Sequence, residues 1–380
     1  MTAPRDVVFT FSTETLADAD ARGLARPPER MLQTLVRSER VGKVLVVDAP
    51  RWLPAKLRRG PTPWPRGLGS PRAHLRPVRL RRREAVSIDD IRAEVARRDA
   101  VVRAAADRAG LRQPAVVSFD PLFAGFAPLE WAGPVTYYGR DDWSRFPPRQ
   151  PWWPAYLAAY EGLRTTGRGV LTISRPLLDR IAPTGPAAVI PNGIDPTEWL
   201  EPGPPPPLTR TLPRPIFTYV GTVDERIDER LLPDLVAAPG SVLLVGPCRD
   251  DDRRARLEAL GATLHVAADR AELAALVSDS DVGLIPHTRT DLTEAMSPLK
   301  LYEYRAAGIP VATVDLPPIA AEAADDDAIV LAAPGAAGFA AAAADAAERG
   351  RDDETTRRDY VERASWAGRH RTALEIALRA

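Results

Sequence analysis

The sequence predicts an α/β protein made of two doubly wound, Rossmann-like domains facing a central cleft. Three observations carry that prediction. Short apolar runs alternate with longer stretches of helical spacing, the pattern of a parallel sheet covered on both faces. The alternation breaks at a proline-rich stretch, residues 201–215, and then starts again. The 380 residues are many for one hydrophobic core and fit two.

Taken in order, Val7 to Phe11 reads as a short buried strand. Pro28 to Arg37 has helical spacing, with Met31, Leu32, Leu35 and Val36 on one face. Val44 to Val47 is a second strand. Ser87 to Asp90 resembles a capping box, with Asp in place of Glu or Gln, and opens a helix to about Ala109. Pro114 to Ser118, Val135 to Tyr138 and Val170 to Ser174 are further buried strands. Clustered proline in 201–215 forbids helix and ladder and makes an extended spacer. Beyond it, Ile216 to Val220 ends at Gly221, and Ser241 to Val245 ends at Gly246. Strands at Thr263–Val266 and Val282–Ile285 follow, with helices near 252–260 and 270–278 between them. Strands Val311–Val314 and Ala328–Leu331 complete the set, followed by an alanine-rich helix over 336–350 and a charged amphipathic one over 353–378. The domain reading is therefore 1–200, a linker at 201–215, a second domain at 216–352, and a C-terminal helix at 353–380 that crosses back to the first domain.

Composition excludes several function classes. The formal net charge is zero, so whole-chain electrostatics do not favour nucleic acid. A single cysteine, Cys248, rules out an intrachain disulfide and a cysteine-based zinc site. The four histidines are scattered without metal-ligand spacing. No apolar run approaches the roughly 18 residues needed to span a membrane. The N-terminus has no hydrophobic signal core, which predicts a cytoplasmic protein, peripheral at most to the inner face of the membrane. Heavy use of arginine makes lysine informative: the chain has only Lys43, Lys56 and Lys300.

Lys300 lies in the most informative stretch, Ser297 to Val311 (SPLKLYEYRAAGIPV). Ser297 suits an N-cap and Pro298 the first helical position. The free N–H groups of a first helical turn, with the positive end of the helix dipole, favour an anion. Lys300 adds a mobile point charge, and Glu303 shares its helix face three residues on. That pairing suits a diphosphate followed by the two hydroxyls of a ribose. Read from the residues alone, a capped surface helix with Lys300 and Glu303 in water is equally compatible.

The stretch resembles the nucleotide-binding helix of GT-B glycosyltransferases, especially the retaining glycosyltransferase family 4 group. Ile190–Asp195 (IPNGID), Tyr219–Thr222 (YVGT) and Asp281–Pro286 (DVGLIP) are similar to that group's other segments, in the same order. Within the group, Tyr137–Trp143 (YYGRDDW) and Gly221–Asp228 (GTVDERID) resemble a branch that includes teichuronic-acid-type glycosyltransferases. The resemblance implies a donor site built from Gly221, Thr222, Arg226, Ser297, Pro298, Leu299, Lys300 and Glu303. It also implies catalytic roles for Lys300, Glu303, Asp141 and Asp142. The chain departs from the group at two places. Eight positions before Glu303 stands Ala295 rather than glutamate, with Glu294 adjacent. The Arg and Lys that usually follow the glycine turn are replaced near Thr222 and Asp228, leaving Arg226 and Lys300 as the available cations.

The expected activity is transfer of a sugar from a nucleotide-diphosphate sugar to a glycan, lipid-linked or natural-product acceptor, with retention. It would need no metal and no resident cofactor. If the enzyme inverts, Asp141, Asp142 or Glu14 is the expected general base. Ser12, Thr13 and Glu14, after the first strand, could line the acceptor side. A sugar-nucleotide 2-epimerase, with His287 beside the sugar, and a non-catalytic nucleotide- or glycan-binding protein are the alternatives. Residues 51–83 hold no acid, and interleave Arg51, Lys56, Arg58, Arg59 and further arginines with Trp52, Leu53, Leu57 and Trp64. That segment suits an anionic membrane surface or an anionic acceptor, and equally a basic loop.

Overall fold

In the computed structural model, which describes residues 3–54, 63–69 and 72–379, fifteen strands are present among the described residues, and every ladder is parallel. The chain divides into two units. One holds the residues up to Pro191 together with those from Arg369 onward, and the other holds Asn192–Gly368.

The first unit is organised on β1 (Arg5–Thr10), β2 (Val41–Val47), β4 (Ala73–Leu75), β6 (Ala115–Ser118), β7 (Val135–Gly139), β8 (Gly169–Thr172) and β9 (Ala187–Val189). They lie in the order β4-β2-β1-β6-β7-β8-β9; β3 (Arg51–Trp52) and β5 (Val78–Arg79) form a separate short ladder. Val7 and Phe9 pack on one face against Met31, Leu32 and Leu35 of the Pro27–Arg37 helix. Val8, Leu45 and Val116 pack on the other against Val95 and Val102 of the Ile88–Arg108 helix. Ser87 caps that helix as expected, its hydroxyl accepting from the Asp90 N–H. Ala373, Ala377 and Leu378, at the C-terminus, belong to the first face's core.

The second unit carries β10 (Ile216–Val220), β11 (Ser241–Val245), β12 (Thr263–His265), β13 (Val282–Ile285), β14 (Val311–Val314) and β15 (Ile329–Ala332), in the order β12-β11-β10-β13-β14-β15. Numbered within the unit this is 3-2-1-4-5-6, the Rossmann order, whose reversal falls between β10 and β13. Alternate residues serve opposite faces: Ile216 and Val220 face the helices Arg270–Ser278, Leu299–Ala306 and Glu354–Ala364, while Phe217 and Tyr219 face Asp251–Leu260 and Ala336–Arg349.

β10 and β13 pair only through Phe217 with Val282 and Thr218 with Gly283. Beyond that point the strands part, and Tyr304 of the Leu299–Ala306 helix fills the gap. Its hydroxyl accepts from the Val220 N–H at 2.8 Å and donates to the Leu284 carbonyl at 3.2 Å. Gly283 is required beneath it, because a Cβ there would run into the Tyr304 ring.

Two expectations need correction. Residues 201–215 contain a short helix, Pro207–Thr211. Proline is tolerated there because Pro206 and Pro207 occupy the N-cap and first helical positions, which need no N–H donor. The single helix expected over 353–378 is two, Glu354–Ala364 and Trp366–Ala377. Ser365 is extended between them and bridges to Ile194. No described helix is long and apolar enough to cross a membrane.

Tyr304→Phe keeps the ring and leaves the Val220 N–H without its acceptor. Its expected cost is about 1–3 kcal/mol, read as a lower urea midpoint at unchanged slope. Gly283→Ala should cost a similar ~1–3 kcal/mol by overpacking.

Candidate functional site

The candidate site lies at the C-terminal ends of β10 and β13, where doubly wound sheets place ligands. After β10 the chain turns at Gly221, whose φ of 133° excludes most side chains. After β13 come Pro286 and His287. Above both stands the N-terminus of the Leu299–Ala306 helix.

That helix begins one residue later than expected. Pro298 is the N-cap and Leu299 the first helical residue. Ser297 does not cap it, because its hydroxyl is taken by the Tyr302 hydroxyl at 2.9 Å. The Ser297 carbonyl accepts from Asn192 Nδ2 at 2.6 Å, so the Ile190–Asp195 segment fixes where the helix starts. At the other end Gly308, at φ 73°, lets the Ile309 N–H reach the Tyr304 carbonyl and closes the helix.

The solvated surface helix is not what forms. Every residue from Lys300 to Ala306 is buried, Lys300 at 9% exposure and Glu303 at 7%. Arg305 is held inside by Asp326 and Asp352, at 2.8 and 2.7 Å. Lys300 Nζ lies 2.9 Å from His287 Nε2, 3.3 Å from the Tyr219 hydroxyl and 4.3 Å from the centre of the Tyr219 ring. A Cβ built on Gly221 would sit 3.5 Å from Nζ, so the amine overhangs the glycine turn. Burial, reinforced by Arg226, lowers the Lys300 pKa to about 7. Burial, then Lys300, keeps His287 neutral by pushing its pKa well below the usual imidazole range.

Glu303 is oriented by a partner that sequence reasoning missed. Arg270 Nη1 donates to Glu303 Oε1 at 2.8 Å, and Nη2 donates to Glu198 Oε2 at 2.5 Å. Burial opposes the Arg270 charge, but Glu303 and Glu198 outweigh it and raise its pKa. Nothing in the local sequence links Arg270 to Glu303; the sheet topology brings them together. The Arg226 guanidinium is engaged by Asp224 through Nε and Nη2, at 2.9 and 2.7 Å. Asp228 is paired with Arg230 at 2.8 Å, and Glu294 with Arg289 at 2.7 Å. Thr222 contributes its carbonyl to the Tyr219 hydroxyl.

In the first unit the expected aspartates separate. Asp141 meets Arg140 Nε at 3.3 Å, and Arg140 Nη2 meets Glu14 Oε1 at 2.6 Å. Burial opposes ionisation of Glu14, but Arg140 and Arg22 prevail and lower its pKa. Asp142 instead faces inward at 1% exposure. It accepts from the Ser144 hydroxyl at 2.6 Å and pairs with Arg180 at 2.7 Å. Trp143 is likewise buried, against Phe146 and Tyr156. Trp152 and Trp153 donate to the carbonyls of Ala85 and Phe146.

The basic stretch finds acids from outside itself, which a linear count cannot see. Arg51 pairs with Asp18, Arg79 with Glu84 and Arg81 with Asp90. Lys56, Leu57, Arg58 and Arg59 lie outside the described residues.

No protein-family model matches the chain, and no curated protein matches it in sequence. Among solved structures it is similar to a sucrose-phosphate synthase from Thermosynechococcus elongatus, with 15% identity and a TM-score of 0.66 over 98% of each chain. It is also similar to the trehalose-6-phosphate synthase OtsA, with 15% identity and a TM-score of 0.64 over 99% of each chain. A protein assigned as a UDP-N-acetylglucosamine 2-epimerase from Listeria monocytogenes shares 12% identity at a TM-score of 0.56, over 98% of this chain and 96% of that one. At these identities the likeness establishes the fold, which is GT-B.

The division between Asp141 and Asp142 is measurable. Asp142→Ala removes the buried carboxylate and leaves the buried Ser144 hydroxyl and the part-exposed Arg180 without their partner, and should cost about 1–3 kcal/mol in urea unfolding. Asp141→Asn, at the surface, should stay within about 0.5 kcal/mol of wild type.

Proposed function

We infer that this protein is a glycosyltransferase. It would take a sugar from a nucleotide-diphosphate sugar and pass it to a glycan, lipid-linked or natural-product acceptor, with retention of anomeric configuration. One observation carries the reading: a buried lysine, with no carboxylate as ion-pair partner among the described residues, overhangs a glycine turn at a helix N-terminus, one turn before a buried glutamate. A buried amine in that position lacks an anion, and the adjoining backbone favours one.

In the reaction the bond between the anomeric carbon and the diphosphate oxygen breaks, and negative charge grows on the departing diphosphate. Lys300 and the N–H groups at Leu299 and Lys300 would stabilise that charge where it develops. Glu303, with Oε1 held by Arg270, would offer Oε2 to the ribose hydroxyls. Gly221 leaves room for the phosphates beside the backbone. Asp141 and Glu14, joined through Arg140 after β7 and β1, are the candidates for orienting acceptor hydroxyls.

Incubation with UDP-, GDP- and dTDP-sugars should give transfer or slow hydrolysis with at least one, and the matching nucleoside diphosphate should raise Tm. Turnover to a C2-epimeric sugar nucleotide would instead make it an epimerase, and a Tm shift without turnover a binding protein. No shift and no turnover with any of them would sink the donor-site reading. Lys300→Ala should lower kcat roughly 100-fold, the scale of losing one preorganised donor to a developing charge. Glu303→Ala should act mainly on the donor KM.

A further inference from the structure

The environment of Lys300 is unusual for a residue meant to hold an anion, because it does not hold the charge of Lys300 itself. Four parts of the second unit pack around Nζ. From β10 comes Tyr219, whose hydroxyl burial keeps protonated. From the turn after β10 come Asp224 and Arg226, which are bound to each other. From the end of β13 comes His287, at 2.9 Å and neutral. From its own helix come Glu303, engaged by Arg270, and Tyr304, engaged by Val220 and Leu284. Arg226 opposes a charge on Lys300, while Glu303 and Asp224 favour it from a distance. The nearest polar partners of Nζ are therefore an imidazole and a phenol.

The imidazole contact has a property that a carboxylate would lack. When Lys300 is charged, Nζ–H donates to Nε2 of the Nδ1–H tautomer. When Lys300 is neutral, Nε2–H of the other tautomer donates to the Nζ lone pair. One geometry serves both states, and His287 Nδ1 is buried with no hydrogen-bond partner competing for the choice of tautomer.

We propose that binding of a nucleoside diphosphate is coupled to uptake of about one proton by Lys300, and that His287 is the positioning residue that keeps Nζ over the Gly221 turn in both charge states. The inference rests on the donor-site reading above. The proton comes from solvent, and the bound phosphate oxygens become the acceptors of the resulting ammonium. Burial lowers the Lys300 pKa to about 7 in the free protein, and two or more negative charges beside it raise that value. Below this pH the lysine is already charged and binding takes up nothing. Above it each binding event takes up a proton, and affinity falls as pH rises, by up to about tenfold per unit, until the pKa of the complex is reached.

Isothermal titration calorimetry with UDP, GDP, dTDP and ADP, in HEPES and in Tris at about pH 8, reads the proton directly. The wild-type protein should show a buffer-dependent enthalpy equal to nearly one proton taken up. Lys300→Arg, always charged, should bind with no uptake. His287→Phe removes the acceptor, and should bind about tenfold more weakly at pH 8 with its affinity falling from a lower pH. His287→Gln, whose amide reaches the place of Nε2, should restore both. Binding by wild type with equal enthalpy in the two buffers overturns the proton coupling and leaves the donor site standing. A His287→Phe profile that matches wild type overturns the positioning role. If His287→Phe does not fold, His287→Gln and the wild-type buffer comparison still decide. Failure of every nucleoside diphosphate to bind removes the donor site and this inference together.

Discussion

The hydroxyl of Tyr304 is the point on which the second unit's functional geometry rests. A parallel sheet that reverses its winding must open between two neighbouring strands, and the backbone groups exposed there need partners. Here β10 and β13 separate after Thr218 and Gly283, and one phenol satisfies a donor on the first strand and an acceptor on the second. The same bond sets the height and rotation of the Leu299–Ala306 helix. Lys300, one turn before Tyr304, is thereby delivered over Gly221, the residue that follows Val220. Asn192 fixes the helix start and Gly308 its end, so the segment has little freedom to place its charges elsewhere.

Those charges are buried, and burying charge costs several kcal/mol per ion unless partners compensate. The helix has three charged residues, and they are treated differently. Arg305 is neutralised by two aspartates and also reaches the Ile309 carbonyl, an arrangement that ties the helix to the rest of the unit. Glu303 shares Arg270 with Glu198. Lys300 has an imidazole, a phenol and a ring face. Two of the three buried charges are compensated by oppositely charged partners and the third only by neutral groups, and the proposed anion site rests on that difference. That asymmetry distinguishes a candidate binding lysine from a structural one more sharply than its position in a motif does.

Much of this was legible in the sequence. The strands of the second unit announce themselves as short apolar runs, two of them ending in glycine, and Ile216–Val220, Ser241–Val245 and Val282–Ile285 form where periodicity puts them. The weight of Lys300 came from the scarcity of lysine and its spacing to Glu303. What stayed hidden was pairing across long separations. Arg270 reaches Glu303 only because two helices share one face of a sheet, and Asp142 turns inward because Arg180, 38 residues on, waits there. Arg226 looked like a free cation because Asp224 could have pointed anywhere. The strands Ala73–Leu75 and Ala187–Val189 are only three residues each, too short to show a period, and are held by pairing with their neighbours. Proline misled in one direction: at Pro206 and Pro207 it starts a helix rather than preventing one.

The central claim is that Lys300 meets the diphosphate of a nucleotide. A chain with three lysines allows it to be tested at a single atom. Protein labelled with carbon-13 at lysine Cε should give three resolved NMR signals, with Lys300 assigned by its loss in Lys300→Arg. At about pH 8, titration with UDP or GDP should move the Lys300 signal toward the fully charged position and leave Lys43 and Lys56 in place. A nucleoside diphosphate that binds tightly while the Lys300 signal stays where it was would contradict the account.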